Sequence, residues 1–152
     1  MSAYVKYDIF VGNLVDNVMD LLGTTPGADC DTLKIVLSNT AGDVVVTLQT
    51  LSQVTQIAAG NGYSTGGQAV TNSGARSSGT FTLTGTKVVW TCVSAPMAQF
   101  RYVILYDDTP TSPADPLIAS WDYTSGLILQ VGETFSVKFN SSDTTGTIFT
   151  LT

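Results

Sequence analysis

The chain has 152 residues, a mass of 16.0 kDa, a formal net charge of −6 and a pI near 4.1. Its four lysines and two arginines are scattered and form no basic stripe to neutralise phosphates, which argues against direct nucleic-acid binding. With no histidine, the chain also lacks the commonest general base and any Ser-His-Asp or Cys-His arrangement.

A chain of this length fits one domain, burying about 68–70% of its unfolded surface, so no disulfide framework or metal is needed to hold it. The expected organisation is a single domain over 1–152, with an N-terminal arm over 1–22 and a β body over 30–152. Charged residues make up only 12% of the chain, about half the usual share of roughly 25%. Mean hydropathy is nevertheless positive, at +0.24. Thr, Ser and Gly fill the polar positions, a surface that suits a subunit covered by neighbours better than a free cytosolic monomer. A small secreted β domain is the alternative. The opening residues, Met1 to Asp8, lack the apolar core of a signal peptide, and no run of about 18 uncharged apolar residues follows. Synthesis in the cytosol and no membrane association are therefore expected.

In chain order, Val5, Tyr7, Ile9 and Val11 alternate as in a strand, whereas Leu14, Val18, Leu21 and Leu22 sit at helical spacings. Gly12-Asn13 reads as a turn or bulge between an extended arm and a short irregular or helical piece. Thr24 to Asp29 is a loop by its turn residues. Thr32 to Leu37 is the first clear strand, and Val44 to Leu48 is a candidate for another. From Leu51, the residues Val54, Ile57 and Ala58 share one helical face, with Ser52 as N-cap and Gly60-Asn61-Gly62 as terminator, so the one short helix is expected here. Strands follow at Ala69–Asn72, Thr80–Thr84, Val88–Val93, Phe100–Tyr106, Leu117–Asp122, Leu127–Gln130, Thr134–Phe139 and Ile148–Leu151, separated by Gly and Pro turns. That rhythm predicts a mainly β fold, an antiparallel β-sandwich or barrel. Phe100 to Leu105 is apolar on both faces except at Arg101 and should be a central strand. Phe135, Val137 and Phe139 should point inward.

The candidate chemistry is sparse. Cys30 and Cys92 have no zinc-type or CxxC spacing and no adjacent Lys or Arg to activate a thiolate, so each reads as a small core residue, although a bridge between them stays open. Asp107, Asp108 and Asp115 lie in or beside a Pro-rich loop, where Asp bonds its own backbone. No spaced acidic motif supports calcium, and the Gly60–Gly67 loop lacks the Lys and following helix of a phosphate cradle. No catalytic residue, cofactor or metal is expected. Arg101, a charge in an apolar strand, needs a partner, and Asp122 is the candidate. Tyr102, Tyr106, Trp121 and Tyr123 read first as core and cross-strand packing, and otherwise as an interface patch or a sugar-stacking platform.

Four segments carry a resemblance: Val54–Gly67 (VTQIAAGNGYSTGG), Phe100–Asp108 (FRYVILYDD), Pro116–Tyr123 (PLIASWDY) and Val131–Phe139 (VGETFSVKF). In this order, over residues 30 to 152, the chain resembles a family of small tailed-phage and prophage virion structural proteins. The resemblance implies a non-enzymatic decoration or cement protein on the capsid exterior, made in the bacterial host cytoplasm. Its partners would be the phage major capsid protein and itself, as a homotrimer. A tail or neck component and a carbohydrate-binding adhesion module are the alternatives. The candidate subunit contacts are Tyr4, Tyr7, Ile9 and Val11 of the arm, which can add a strand to a neighbour's sheet. To these are added Asn61 and Tyr63 of the glycine loop and Thr109 and Pro113 of the proline loop.

Overall fold

A computed structural model describes residues 4–23, 30–140 and 144–152. The loop expected at Thr24 to Asp29 and the first three residues of the expected arm lie outside the described residues. Among the described residues ten strands and one short α-helix follow in the order β1 (Val5–Lys6), α1 (Ile9–Val15), β2 (Leu33–Ser38), β3 (Gln68–Val70), β4 (Asn72–Ser77), β5 (Thr80–Gly85), β6 (Val88–Thr91), β7 (Phe100–Asp107), β8 (Leu117–Leu127), β9 (Thr134–Val137) and β10 (Gly146–Leu151).

Every pairing is antiparallel. A five-stranded sheet runs β1-β8-β7-β2-β3, and opposite it lie a three-stranded sheet, β10-β5-β4, and a two-stranded one, β6-β9. The sheets do not close into a barrel, so the fold is a β-sandwich. The main core lies between the layers. Leu33, Ile35 and Leu37 of β2 and Val103 and Leu105 of β7 meet Leu83 of β5, Trp90 of β6, Phe135 and Val137 of β9, and Ile148 of β10. Phe100, at the start of β7, meets Phe135 edge-on at 4.8 Å, the T-shaped geometry that ring quadrupoles favour.

The central position expected for Phe100 to Leu105 is observed, and its apolar character on both faces has a direct cause. Successive side chains of a strand point to opposite faces. The alternate residues Val36 of β2 and Ile104 and Tyr106 of β7 form a second cluster on the far face with Tyr7 and Leu117. Ile9 of α1 and Leu48, Leu51 and Val54 pack against it, so the start of α1 and the segment between β2 and β3 together cover the back of the sheet.

Two elements differ from the sequence reading in this cover. Val44 to Leu48 is not a strand: a one-turn 3₁₀ helix at Ala41–Val44 leads into a turn. The helix expected from Leu51 is a single 3₁₀ turn, Leu51–Gln53, with Thr50 rather than Ser52 as its N-cap. The chain then runs extended because the Ile57 N–H donates to the Leu37 carbonyl at 3.0 Å, and Gln56 forms a bridge with Ser38. Pairing to the β2 strand outweighs a helical face of only three residues.

The one α-helix is α1. Its Phe10 and Asn13 are buried and Leu14 packs on the core, while Val11 and Val15 point away. Phe10 meets Phe149 of β10 edge-on at 5.2 Å, closing one end of the sandwich.

Asp43 ties the cover down. Its carboxylate Oδ2 accepts from the Ser38 hydroxyl and from the Thr55 N–H at 3.0 Å, and its carbonyl accepts from the Tyr7 hydroxyl. The residue is 3% exposed. Asp43→Ala leaves two donors, the Ser38 hydroxyl and the Thr55 N–H, without their acceptor, and is expected to lower stability by about 2–3 kcal/mol in urea unfolding. Gly67 is a second fixed point. Its φ is +71°, and a Cβ there would lie 1.8 Å from the Ile35 carbonyl oxygen. Gly67→Ala is expected to cost roughly 2 kcal/mol or more in the same measurement, with the loss appearing as a shifted midpoint rather than a changed slope.

Candidate contact surfaces

The expected arm folds onto its own body. Val5 pairs with Ser120 and Lys6 with Ala119, and the Tyr7 N–H continues the ladder to the Ile118 carbonyl at 3.1 Å. The alternation from Val5 to Val11 breaks at Asp8, whose N–H donates to Val46, and the helix starts at Ile9. The physical reason is burial. Tyr7 is 1% exposed and Phe10 is fully buried, which a free arm would forfeit. Tyr7 is therefore a core residue and not a subunit contact. Tyr4 is half-buried, edge-on to Trp121 at 5.7 Å and within 6.5 Å of Phe149. Ile9 is half-buried against the back cluster, and Val11 alone among the arm candidates is exposed.

The glycine loop is a structural connector. Gly60, Gly62, Gly66 and Gly67 all have positive φ, as does Asn61, which is the use of glycine the sequence implies. Tyr63 is 3% exposed. Its hydroxyl donates to Gln56 Oε1 at 2.8 Å and accepts from the Leu37 N–H at 3.4 Å, so it too leaves the contact set. Asn61 is half-buried, donating to the Pro96 carbonyl and accepting from the Ser94 hydroxyl, both at 3.0 Å. It clips two loops together. In the proline loop, Thr109 is exposed, with its hydroxyl oxygen accepting from the Thr32 N–H at 2.8 Å, and Pro113 is half-buried.

Arg101 and Asp122 do pair. Arg101 Nε and Nη2 donate to the two carboxylate oxygens at 2.8 and 2.7 Å, a bidentate fork across β7 and β8. The guanidinium also lies 5.2 Å from the centre of the Tyr102 ring. Hydrogen bonds from Arg101, then from the Thr124 N–H, hold the Asp122 carboxyl down to about 2. Because that lies below the unfolded value, the contribution is complete above the ordinary Asp range and disappears as pH falls through 2. Half-exposed and bidentate, the pair fixes strand register more than it adds stability.

The aromatic residues form no outward platform. Tyr106 is 1% exposed, donating to the Gly66 carbonyl at 2.9 Å, and Tyr102 is also buried. Trp121 is half-buried, edge-on to Tyr4 and 6.4 Å from Phe139. Tyr123 meets Phe135 edge-on at 5.8 Å and lines an open cleft with Glu133, Ser136 and Lys138. Cys30 and Cys92 are both free thiols. Among the described residues no three His, Cys, Asp or Glu side chains converge as metal ligands. No helix among them is long and apolar enough to cross a membrane.

What the surface does offer is exposed valine. Val11 and Val15, one helical turn apart on α1, are 45% and 79% exposed, and Val5 and Val45 on neighbouring segments are also exposed. A second group is Val93, Ile128 and Val131, where the Gly132 N–H bonded to the Cys92 carbonyl at 2.8 Å sets the Val93 and Val131 segments side by side. The sequence gives a weak signal for the first group, since Val11 and Val15 fall about 100° around the axis from Phe10 and Leu14 once the segment is read as a helix. Nothing in the residue pattern marks the second.

No protein-family model, curated protein or solved structure matches the chain.

Tyr63→Phe removes the hydroxyl that serves both Gln56 and Leu37. The expected loss is about 1–2 kcal/mol of stability by urea unfolding. Affinity for any particle surface should be unchanged, as befits a residue the solvent does not reach.

Proposed function

We propose that the chain is a phage head decoration or cement protein that binds the outer surface of the assembled capsid as a homotrimer and stabilises the shell. The reading rests on the four-segment resemblance to small virion proteins, and the observation that carries it is the exposed valine surface of α1 and its neighbours. A body with 12% charged residues exposes Val15 at 79% and Val11 at 45% on one helical face. Covering such apolar area is the main favourable term in protein association. Binding the assembled shell and not free capsid subunits would stabilise the shell by mass action, with no chemical step. The contact set is then Val11, Val15 and Val45, with Thr109 and Pro113 at a second edge.

The test is co-sedimentation of the purified protein with undecorated capsids, with copy number read from particle imaging. Wild type is expected in the capsid fraction, and Val11→Asp with Val15→Asp is expected to weaken binding by roughly tenfold or more. The double variant should keep its unfolding midpoint, because neither side chain is in the core. Wild-type protein that stays in the supernatant at every concentration, or particles carrying it only at the tail, would overturn the head assignment.

A further inference from the structure

The C-terminal tip of β7 holds a carboxyl group that has neither solvent nor a donor for one of its oxygens. Asp107 is fully buried. Its Oδ1 accepts the Thr109 N–H at 3.1 Å, the local backbone bond expected of Asp in a loop, but Oδ2 has no hydrogen-bond partner. The group that faces it is a second acid, Asp31, on the segment leading into β2. Asp31 is itself part of a clip. Its Oδ2 accepts the Asp20 N–H at 2.6 Å, and its own N–H donates to the Asp20 carbonyl at 2.8 Å.

Among the described residues no cation answers this pair. Lys34 of β2 is 2.6 Å from Asp108 and is engaged there. The other titratable groups around the site are acidic or neutral: Tyr106 on β7 itself, Asp108 just beyond its end, Asp115 in the proline loop, and Asp20 and Cys30 on the segments before β2. A fully buried carboxyl beside a second acid resists ionising. A carboxyl that keeps its proton becomes a donor, and a bare Oδ2 facing another carboxylate is the position such a donor takes.

We propose that Asp107 keeps a proton and donates it to a facing Asp31 carboxyl oxygen, which closes a clip between the tip of β7 and the segment around Asp20, and that loss of this proton in alkaline solution opens the clip.

Burial, and then the charges of Asp31 and Asp108, push the Asp107 carboxyl up to about 8. The folded chain thus keeps a proton that the unfolded chain releases near pH 4. Folding stability is therefore highest below that range, declines as pH rises toward 8, and levels off above it. Opening the clip reaches the opposite layer. Leu21 is 3% exposed, and its carbonyl packs so closely on Gly74 of β4 that a Cβ there would lie 2.1 Å away. An Asp31 driven off by a charged Asp107 takes its hold on Asp20, and so on Leu21, with it. Since no third metal-ligating side chain converges among the described residues, a proton fits the pair better than a cation.

The experiment is urea unfolding of the full chain from pH 5 to 9, paired with carboxyl carbon NMR of Asp107. Wild type is expected to lose midpoint steadily toward pH 8, with the Asp107 resonance titrating well above the ordinary Asp range. Asp107→Asn supplies a permanent donor and should flatten the pH dependence, exceeding wild type at pH 9. Asp31→Asn should also flatten it by removing the facing charge, and it decides the matter together with the NMR titration if Asp107→Asn does not fold. An Asp107 resonance that titrates below pH 5 would overturn the proposal. So would millimolar calcium that raises the wild-type midpoint but not that of Asp107→Asn, an outcome assigning the pair to a cation.

Discussion

Because β7 is buried on both faces, the chain has to supply two covering layers for one strand, and most of its organisation follows from that requirement. On one side the β10-β5-β4 and β6-β9 sheets supply Leu83, Trp90, Phe135 and Val137. On the other side the described residues form no sheet. Tyr7 from the N-terminal segment, with Leu48, Leu51 and Val54 from a segment with almost no regular structure, covers Ile104 and Tyr106. Irregular backbone over a core is costly unless its polar groups are satisfied. Asp43 is the residue that meets that need, serving Ser38, Thr55 and Tyr7 at once. The N-terminal segment is thereby committed to its own domain, since Tyr7 is needed to complete the back cluster.

That commitment changes where partners can bind. An extended arm offers main-chain hydrogen bonds to a neighbour, and main-chain pairing tolerates many sequences. Here the main chain of Val5 to Tyr7 is already paired with β8. What is left outward is side-chain area on α1, which is shorter range and more demanding of shape. The same holds for the glycine loop, where Tyr63 and Asn61 spend their polar groups on Gln56, Leu37, Pro96 and Ser94. Loops rich in Gly and Tyr can read as binding surfaces in a sequence and yet be internal braces.

The strands with large alternating side chains were legible. Thr134–Val137 places Phe135 and Val137 inward because the period of two survives folding unchanged. Arg101 was legible for a different reason: a lone charge in an apolar strand demands an opposite one within reach, and Asp122 was the acid on the neighbouring strand. β4 was not legible, because Asn72 to Ser77 has no large apolar side chain and takes its strand form from its pairing to β5. The helix was misplaced since Val54, Ile57 and Ala58 satisfy a helical spacing, whereas Ile9 to Val15 contains Gly and Asn, both weak helix formers. Burial of Phe10 and Asn13 decides in favour of the latter. Asp107 looked like one more turn-forming Asp. Nothing local reveals that its second oxygen faces Asp31, which is distant in sequence.

The β4–β5 hairpin ends in Ser78-Gly79, both exposed and both with positive φ, the two-residue geometry that matches strand twist. Nothing lies within 4 Å of the position a Gly79 Cβ would take. Backbone at such a tip is anchored only by the two strands below it, so extra residues grafted there lengthen a loop without disturbing the core. Any peptide fused between Ser78 and Gly79 would be carried outward on a rigid stalk, which makes this turn the natural mounting point for presenting a foreign epitope.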